Sequence, residues 1–175
     1  MRKSVFLSLA TAAFLCAAPE KTALKIGFIP LTDCAPIVIA KEKGFFAKHG
    51  LDVTVVKEGG GWAGIQQKVA SGEYDFSHML APMPIASTLG INGNVPMNAV
   101  MSLDYNGNGI TLDNNVIADM KAQGMDESKR PVSASYLKKS IEAKKKAGTY
   151  KPLELGMTYP TGTHNYELRY WLAAG

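Results

Sequence analysis

Residues 24–56, LKIGFIPLTDCAPIVIAKEKGFFAKHGLDVTVV, decide the fold. Leu24, Ile26, Phe28 and Ile29 form a short apolar run stopped by Pro30, the pattern of a buried parallel strand. Asp33 is placed to cap the helix that follows, and Pro36 falls in its first turn. Ala35, Ile37, Val38, Ile39 and Ala40 carry that helix on to a stop at Gly44. Leu51, Val53 and Val55 then alternate with Asp52 and Thr54, so the chain returns to strand. Strand, helix and strand make one unit of an open α/β sheet, in which ligands lie beyond the carboxyl ends of the strands. The loop from Pro30 to Cys34 is therefore expected to line a cleft.

Next along the chain, Lys57-Glu58-Gly59-Gly60-Gly61-Trp62 leads into a helix with Trp62, Ile65 and Val69 on one side and Gly72 at its end. Glycines ahead of a helix let backbone N–H groups approach a ligand, and the positive end of the helix dipole favours an anion. The run matches neither a P-loop nor a dinucleotide fingerprint. Trp62 has two open readings: a core or rim tryptophan, or an indole N–H aimed into the cleft. Tyr74, Phe76 and Met79 predict a third strand, and Pro84 opens a helix through Ile85, Ala86 and Leu89 to Gly90. Asn92-Gly93 marks a turn, and Val95 to Leu103 predicts a fourth strand. Such alternation implies a mostly parallel sheet with helices on both faces. His78, between the third strand and its helix, reads as a hydrogen-bonded loop residue rather than a metal ligand, because no second His or Cys stands at a zinc spacing.

The stretch from Asp104 to Leu112, DYNGNGITL, interrupts the apolar run. It reads as a hinge between lobes, with Gly107 and Gly109 supplying backbone freedom; an ordinary hairpin turn at Asn106-Gly107 is the other reading. Ala118 to Pro131 is expected to be polar and turn-like, Ser135 to Ala147 an exposed helix ended by Gly148, and Leu153 to Met157 a strand. Thr163 is the expected N-cap of a last helix whose apolar side holds Tyr166, Leu168, Trp171 and Leu172. His164 would occupy its first turn, where the ring can face the cleft beside free backbone N–H groups.

At 175 residues and 46% hydrophobic, the chain can bury a sizeable core and is not compositionally disordered. The net charge of +4 owes part of its excess to Lys138, Lys139, Lys144, Lys145 and Lys146. These read as a solvated helix face, with no interleaved aromatic residue of the kind a single-strand nucleic-acid platform uses. Residues 1–18 place Arg2 and Lys3 ahead of an apolar segment of about 14 residues ending in small side chains, the build of a signal peptide. That segment is too short to span a bilayer, so an exported, periplasmic protein is expected, with lipid attachment at Cys16 as the lesser reading. Cys34 is then the only thiol in the chain; it reads as a small buried residue, with a nucleophile paired to His78 or His164 as the alternative.

Together GFIPLTDCAPIVIAKEKGFFAKHGLDV, WAGIQQKVASGEYDFSHMLAPMP, NGNGITL and THNYELRYWLAAG strongly resemble the periplasmic nitrate-binding proteins of ABC transporters and their bicarbonate-binding relatives. These form one branch of the nitrate/sulfonate/taurine binding family. The resemblance runs from Lys25 to Gly175. It implies a type II periplasmic-binding fold of two lobes with mostly parallel sheets and a hinge. Residues 22–107 would supply lobe one and 108–175 an incomplete lobe two, the chain matching the N-terminal part of longer proteins. At matching positions it implies that Leu31 lines the pocket, Trp62 donates its indole N–H, His164 faces the anion, and Asn108 offers a shorter amide where nitrate binders often carry Gln. It further implies a monomer that hands its solute to an inner-membrane ABC permease, with no cofactor, metal, nucleic acid or catalysis.

Nitrate presents only acceptor oxygens and stays ionised, so its site needs N–H donors and positive potential, while a nearby carboxylate would be costly. The four side chains named include no carboxylate, which points to nitrate or nitrite before bicarbonate or a sulfonate such as taurine. Two other classes share the wider resemblance: a cytoplasmic nitrate sensor and a thiamine-pyrimidine synthase-like enzyme. A leader at residues 1–18 argues against both.

Overall fold

The computed structural model describes residues 20–105 and 107–175. The leader, the Cys16 reading and the Asn106 half of the hairpin reading lie outside the described residues. β1 (Ala23–Phe28), β2 (Asp52–Lys57) and β3 (Phe76–Ser77) form a parallel sheet in the order β2-β1-β3. Central β1 pairs with β2 from Ala23↔Asp52 to Phe28↔Lys57, and with β3 at Ile26↔Phe76 and Gly27↔Ser77. A 3-10 turn at Thr32–Cys34 leads into α1 (Ala35–Glu42), followed by α2 (Phe45–Lys48); both helices pack on β2. α3 (Gly61–Ala70) packs on β3, and α4 (Pro82–Thr88) follows. Parallel strands need such crossovers, because a short turn can only reverse the chain. Ile26, Val53, Ile65, Tyr74 and Met83 form the core of this α/β layer.

A second core lies in the C-terminal part, where Met120, Met125 and Leu137 are buried between α5 (Asn114–Ala122) and α6 (Ser135–Lys146). Trp171 of α7 (Thr163–Ala173) packs on the same cluster and donates its indole N–H to the carbonyl of Val132 at 2.8 Å. Lys138, Lys139, Lys145 and Lys146 are exposed, and Lys144 pairs with Asp119 of α5. Among the described residues, no helix is long and apolar enough to cross a membrane.

Several expectations are corrected. Val95 to Leu103 is not a strand: Ser87 Oγ donates to the carbonyl of Val95 at 2.7 Å, and the N–H of Met97 donates to Thr88 Oγ1 at 3.1 Å. Side chains of α4 thus take the backbone groups a ladder would use, and Pro96 has no N–H to offer. Leu153 to Met157 is not a strand either, because no strand lies beside it among the described residues. Most of the polar 118–131 stretch was expected to be turns, yet its start belongs to α5, which Asp113 caps by accepting from the N–H of Asn115 at 2.8 Å. α6 is not simply exposed, since it buries Leu137 and Ser140. Finally, Gly162 rather than Thr163 is the N-cap of α7, which moves His164 to the second position of its first turn.

Candidate functional site

Three chain segments that follow the carboxyl ends of the three strands meet along one rim of the sheet, where an open α/β fold places its ligands. Asp33 follows β1, Trp62 opens α3 after β2, and His78 comes directly after β3. His78 Nε2 lies 2.9 Å from Asp33 Oδ2. The rings of Trp62 and His78 meet edge to face, with centroids 5.2 Å apart and planes at 77°. The expected cap role of Asp33 is not realised. Cys34 N–H bonds the carbonyl of Leu31 and Ala35 N–H that of Thr32, so the 3-10 turn satisfies the helix start and the carboxylate turns to His78.

The glycine loop ahead of α3 already holds an anion of the protein's own. Buried Glu58 accepts from the N–H of Gly60 at 2.6 Å and from the hydroxyl of Tyr74 at 2.8 Å, and pairs with Lys68 at 3.0 Å. The Gly60 N–H, then Tyr74 and Lys68, hold the Glu58 carboxyl down to about 2; Glu58 in turn raises Lys68, and burial first raises Tyr74. Gly60 and Gly64 are needed for this wrap, since a Cβ on either would sit 3.0 or 3.1 Å from Glu58 Oε1. The expectation that this loop turns its N–H groups to a solute is thereby corrected at Gly60.

A second contribution comes from the segment before α7. Gln66, one turn after Trp62 on α3, bonds the carbonyl of Asn92 and accepts from Tyr159 Oη at 3.3 Å, while Asn92 also bonds Tyr159. Gly162 lies against Leu80, where a Cβ would come within 2.9 Å of Leu80 Cδ1. Five buried side-chain atoms have no hydrogen-bond partner: Ser77 Oγ and His78 Nδ1 at the end of β3, Asp33 Oδ1 on the carboxylate that meets His78, and Thr161 Oγ1 and His164 Nδ1 in the segment that carries Gly162. Each costs about 1–3 kcal/mol if left unpaired in a protein interior, so these atoms are suited to a polar partner such as water or a solute.

Of the four residues named from sequence, Trp62 is buried on this rim and His164 stands in the first turn of α7 with its Nδ1 buried. The hydrogen bond from the segment before α7 to α3 runs from Tyr159 to Gln66 rather than through the two rings. Leu31 is half exposed in the loop that carries Asp33. Asn108 is exposed in the irregular segment, and no hydrogen bond of its side chain ties it to the rim. A hollow of about 450 Å³ lies behind the loop, lined by Asn92, Tyr159, Asn165 and Arg169 among others, and includes neither Trp62 nor His164. Its one cation, Arg169, is exposed and bonded to Asn165, so the rim with its unpartnered atoms is the stronger candidate. Asp33 as a partner of His78, along with Ser77, Gln66 and Thr161, was missed from sequence; the usable signal was the place of Asp33 just after β1, of Ser77 at the end of β3 and of Thr161 just before α7, while Gln66, inside α3, gave none. Cys34 is buried and unpaired. No metal-sized group of His, Cys, Asp and Glu occurs among the described residues.

A profile of the NMT1-like family matches residues 17–175. The chain is 42% identical over 166 residues to the nitrate/nitrite binding protein NrtA of Synechocystis sp., covering 90% of this chain and 34% of that protein. It is 39% identical over 158 residues to the bicarbonate transport ATP-binding protein CmpC of Synechococcus elongatus, covering 89% of this chain and 22% of that protein. The chain thus spans about a third or less of the curated relatives it matches. Among solved structures it is similar to the periplasmic nitrate-binding protein NrtA from Synechocystis, with a TM-score of 0.67 at 37% identity over 90% of this chain and 39% of that one.

Proposed function

The chain belongs to the NMT1-like family, and from that premise we propose that it serves as the exported solute-binding component of an ABC importer, capturing a small inorganic oxyanion, nitrate or nitrite first. The observation that carries this reading is that unpartnered buried polar atoms stand both at Ser77 and His78, at the carboxyl end of β3, and at Thr161 and His164, in the segment whose Gly162 lies against Leu80. Solute enters between the lobes. Trp62 from lobe one and His164 from lobe two contact it, Leu31 lines the entry, and Asn108 reaches in from the hinge as the lobes close. The closed form then docks on an inner-membrane permease, and the solute leaves chemically unchanged. Residues 22–107 and 108–175 act as the two jaws. Relatives named for nitrate/nitrite binding and for bicarbonate transport support this solute class.

Bicarbonate is the second reading, and one observation favours it. Asp33 Oδ1 is a buried, unpartnered acceptor at the rim, which the O–H of bicarbonate could satisfy and nitrate could not. Titration calorimetry of the intact protein with nitrate, nitrite, bicarbonate and taurine decides between them. Trp62→Ala and His164→Ala are each expected to weaken binding by about tenfold or more, the value of one charge-assisted hydrogen bond. Unchanged affinity in both variants would refute this pocket.

A further inference from the structure

His78 is 2% exposed, and each side of its ring is constrained. Its backbone N–H donates to the carbonyl of Gly27 at 3.0 Å, which fixes it to the end of β1. Nε2 meets Asp33 Oδ2 at 2.9 Å, and Trp62 stands edge-on to the ring. Turning the ring over would part it from Asp33, so the opposite nitrogen is held where it is. That nitrogen, Nδ1, is buried and has no hydrogen-bond partner. A histidine serving only the packing of the loop would leave this polar atom uncompensated, next to Ser77 Oγ and Asp33 Oδ1, which also lack partners. Two residues further on, Leu80 lies against Gly162, the residue before α7, and Thr161 and His164 on either side of it also carry unpartnered buried atoms.

We propose that His78 is itself a ligand contact, meeting the bound oxyanion through Nδ1 while Asp33, a positioning residue, holds the ring from behind through Nε2. This rests on the oxyanion reading above and adds a residue to it. The arrangement suits either member of the solute class. A charged ring offers an N–H to an unprotonated oxyanion, and a neutral ring offers a lone pair to a protonated one. Asp33 makes the choice of nitrogen unambiguous, because a carboxylate accepts from Nε2–H in both states.

Two isosteres separate a ligand contact from a structural pair. In His78→Gln the amide reaches the place of Nε2 and keeps Asp33 while giving up Nδ1; in His78→Asn it occupies the place of Nδ1 and gives up Asp33. For the intact protein titrated with nitrate, nitrite and bicarbonate, His78→Gln is expected to bind its preferred anion about tenfold more weakly at a nearly unchanged Tm, and His78→Asn to stay within about threefold. Wild-type affinity in His78→Gln would overturn the assignment and leave the oxyanion reading standing. Failure of the wild type to bind any of the three would overturn both. Should either variant fold poorly, the imidazole ¹⁵N resonances of unmutated protein decide: saturation with the anion shifts Nδ1 of His78, and an unmoved Nδ1 overturns the assignment.

Discussion

Substituting Gly27 by alanine tests the packing on which the rim depends. Gly27 lies in the central strand, paired with Val56 on one side and Ser77 on the other. A Cβ there would come 2.4 and 2.5 Å from Cε2 and Cδ2 of Tyr74, whose ring crosses the strand and is almost wholly buried. The ring cannot step aside freely, because its hydroxyl donates to Glu58 at 2.8 Å and Lys68 sits 5.1 Å above its centre. Overpacking a core costs about 1–3 kcal/mol, and parting Tyr74 from the Glu58 carboxylate adds about 1.5–3 kcal/mol. A loss of about 2.5–6 kcal/mol is therefore expected for Gly27→Ala, a large share of the ~5–15 kcal/mol that holds a domain together. Urea unfolding of the intact protein measures it. The control is Tyr74→Leu, in which the same Gly27→Ala change should cost much less, leaving a coupling of more than about 1 kcal/mol in the double-mutant cycle. A Gly27→Ala variant within about 0.5 kcal/mol of wild type, the range of harmless surface changes, would refute the reasoning.

Other outcomes follow from separate parts of the molecule. Glu58 has its carboxyl held down to about 2 in the folded protein against an ordinary 4.5, so it adds stability above the unfolded value that is lost as pH falls through about 2. The unfolding midpoint of the wild type should accordingly drop across this acid window more steeply than that of Glu58→Gln. Asp113→Ala removes the N-cap of α5 and is expected to cost about 0.5–2 kcal/mol in the same urea assay. Met120→Ala empties the centre of the second core, where Met120 is fully buried, and is expected to cost about 2–5 kcal/mol.

The N-terminal α/β layer was legible because its signals are local. Pro30, Gly44, Gly72 and Gly90 punctuate elements whose apolar residues recur at the strand or helix period. α5 was obscured by Asn114, Asn115, Asp119 and Lys121, which leave Val116, Ile117 and Met120 as a sparse apolar stripe. The cap at Asp113 was the signal to use. The missed strands show a different limit: Val95 to Leu103 and Leu153 to Met157 have the composition of strands, but a ladder is made by a neighbour, and composition does not supply one. The candidate site divided in the same way. Trp62 and His164 were readable as helix-start residues, whereas Asp33 and His78 stand 45 positions apart and meet only because β3 pairs beside β1. At the glycine loop the anion proved to be Glu58, one residue before the first glycine, a carboxylate that could equally have been solvated.

If the chain works as the proposed clamp it has to release as well as grip, and Gln66 bears on how. The face of α3 that presents the Trp62 indole also carries, one turn later, the amide that Tyr159 bonds. Withdrawing the segment that leads into α7 must first part that amide from the phenol. Both groups are as well served by water as by each other, so parting them asks for only about 0.5–1.5 kcal/mol per bond, with the Leu80–Gly162 contact opening beside them. The same helix can therefore feel the cargo and set how readily the mouth reopens.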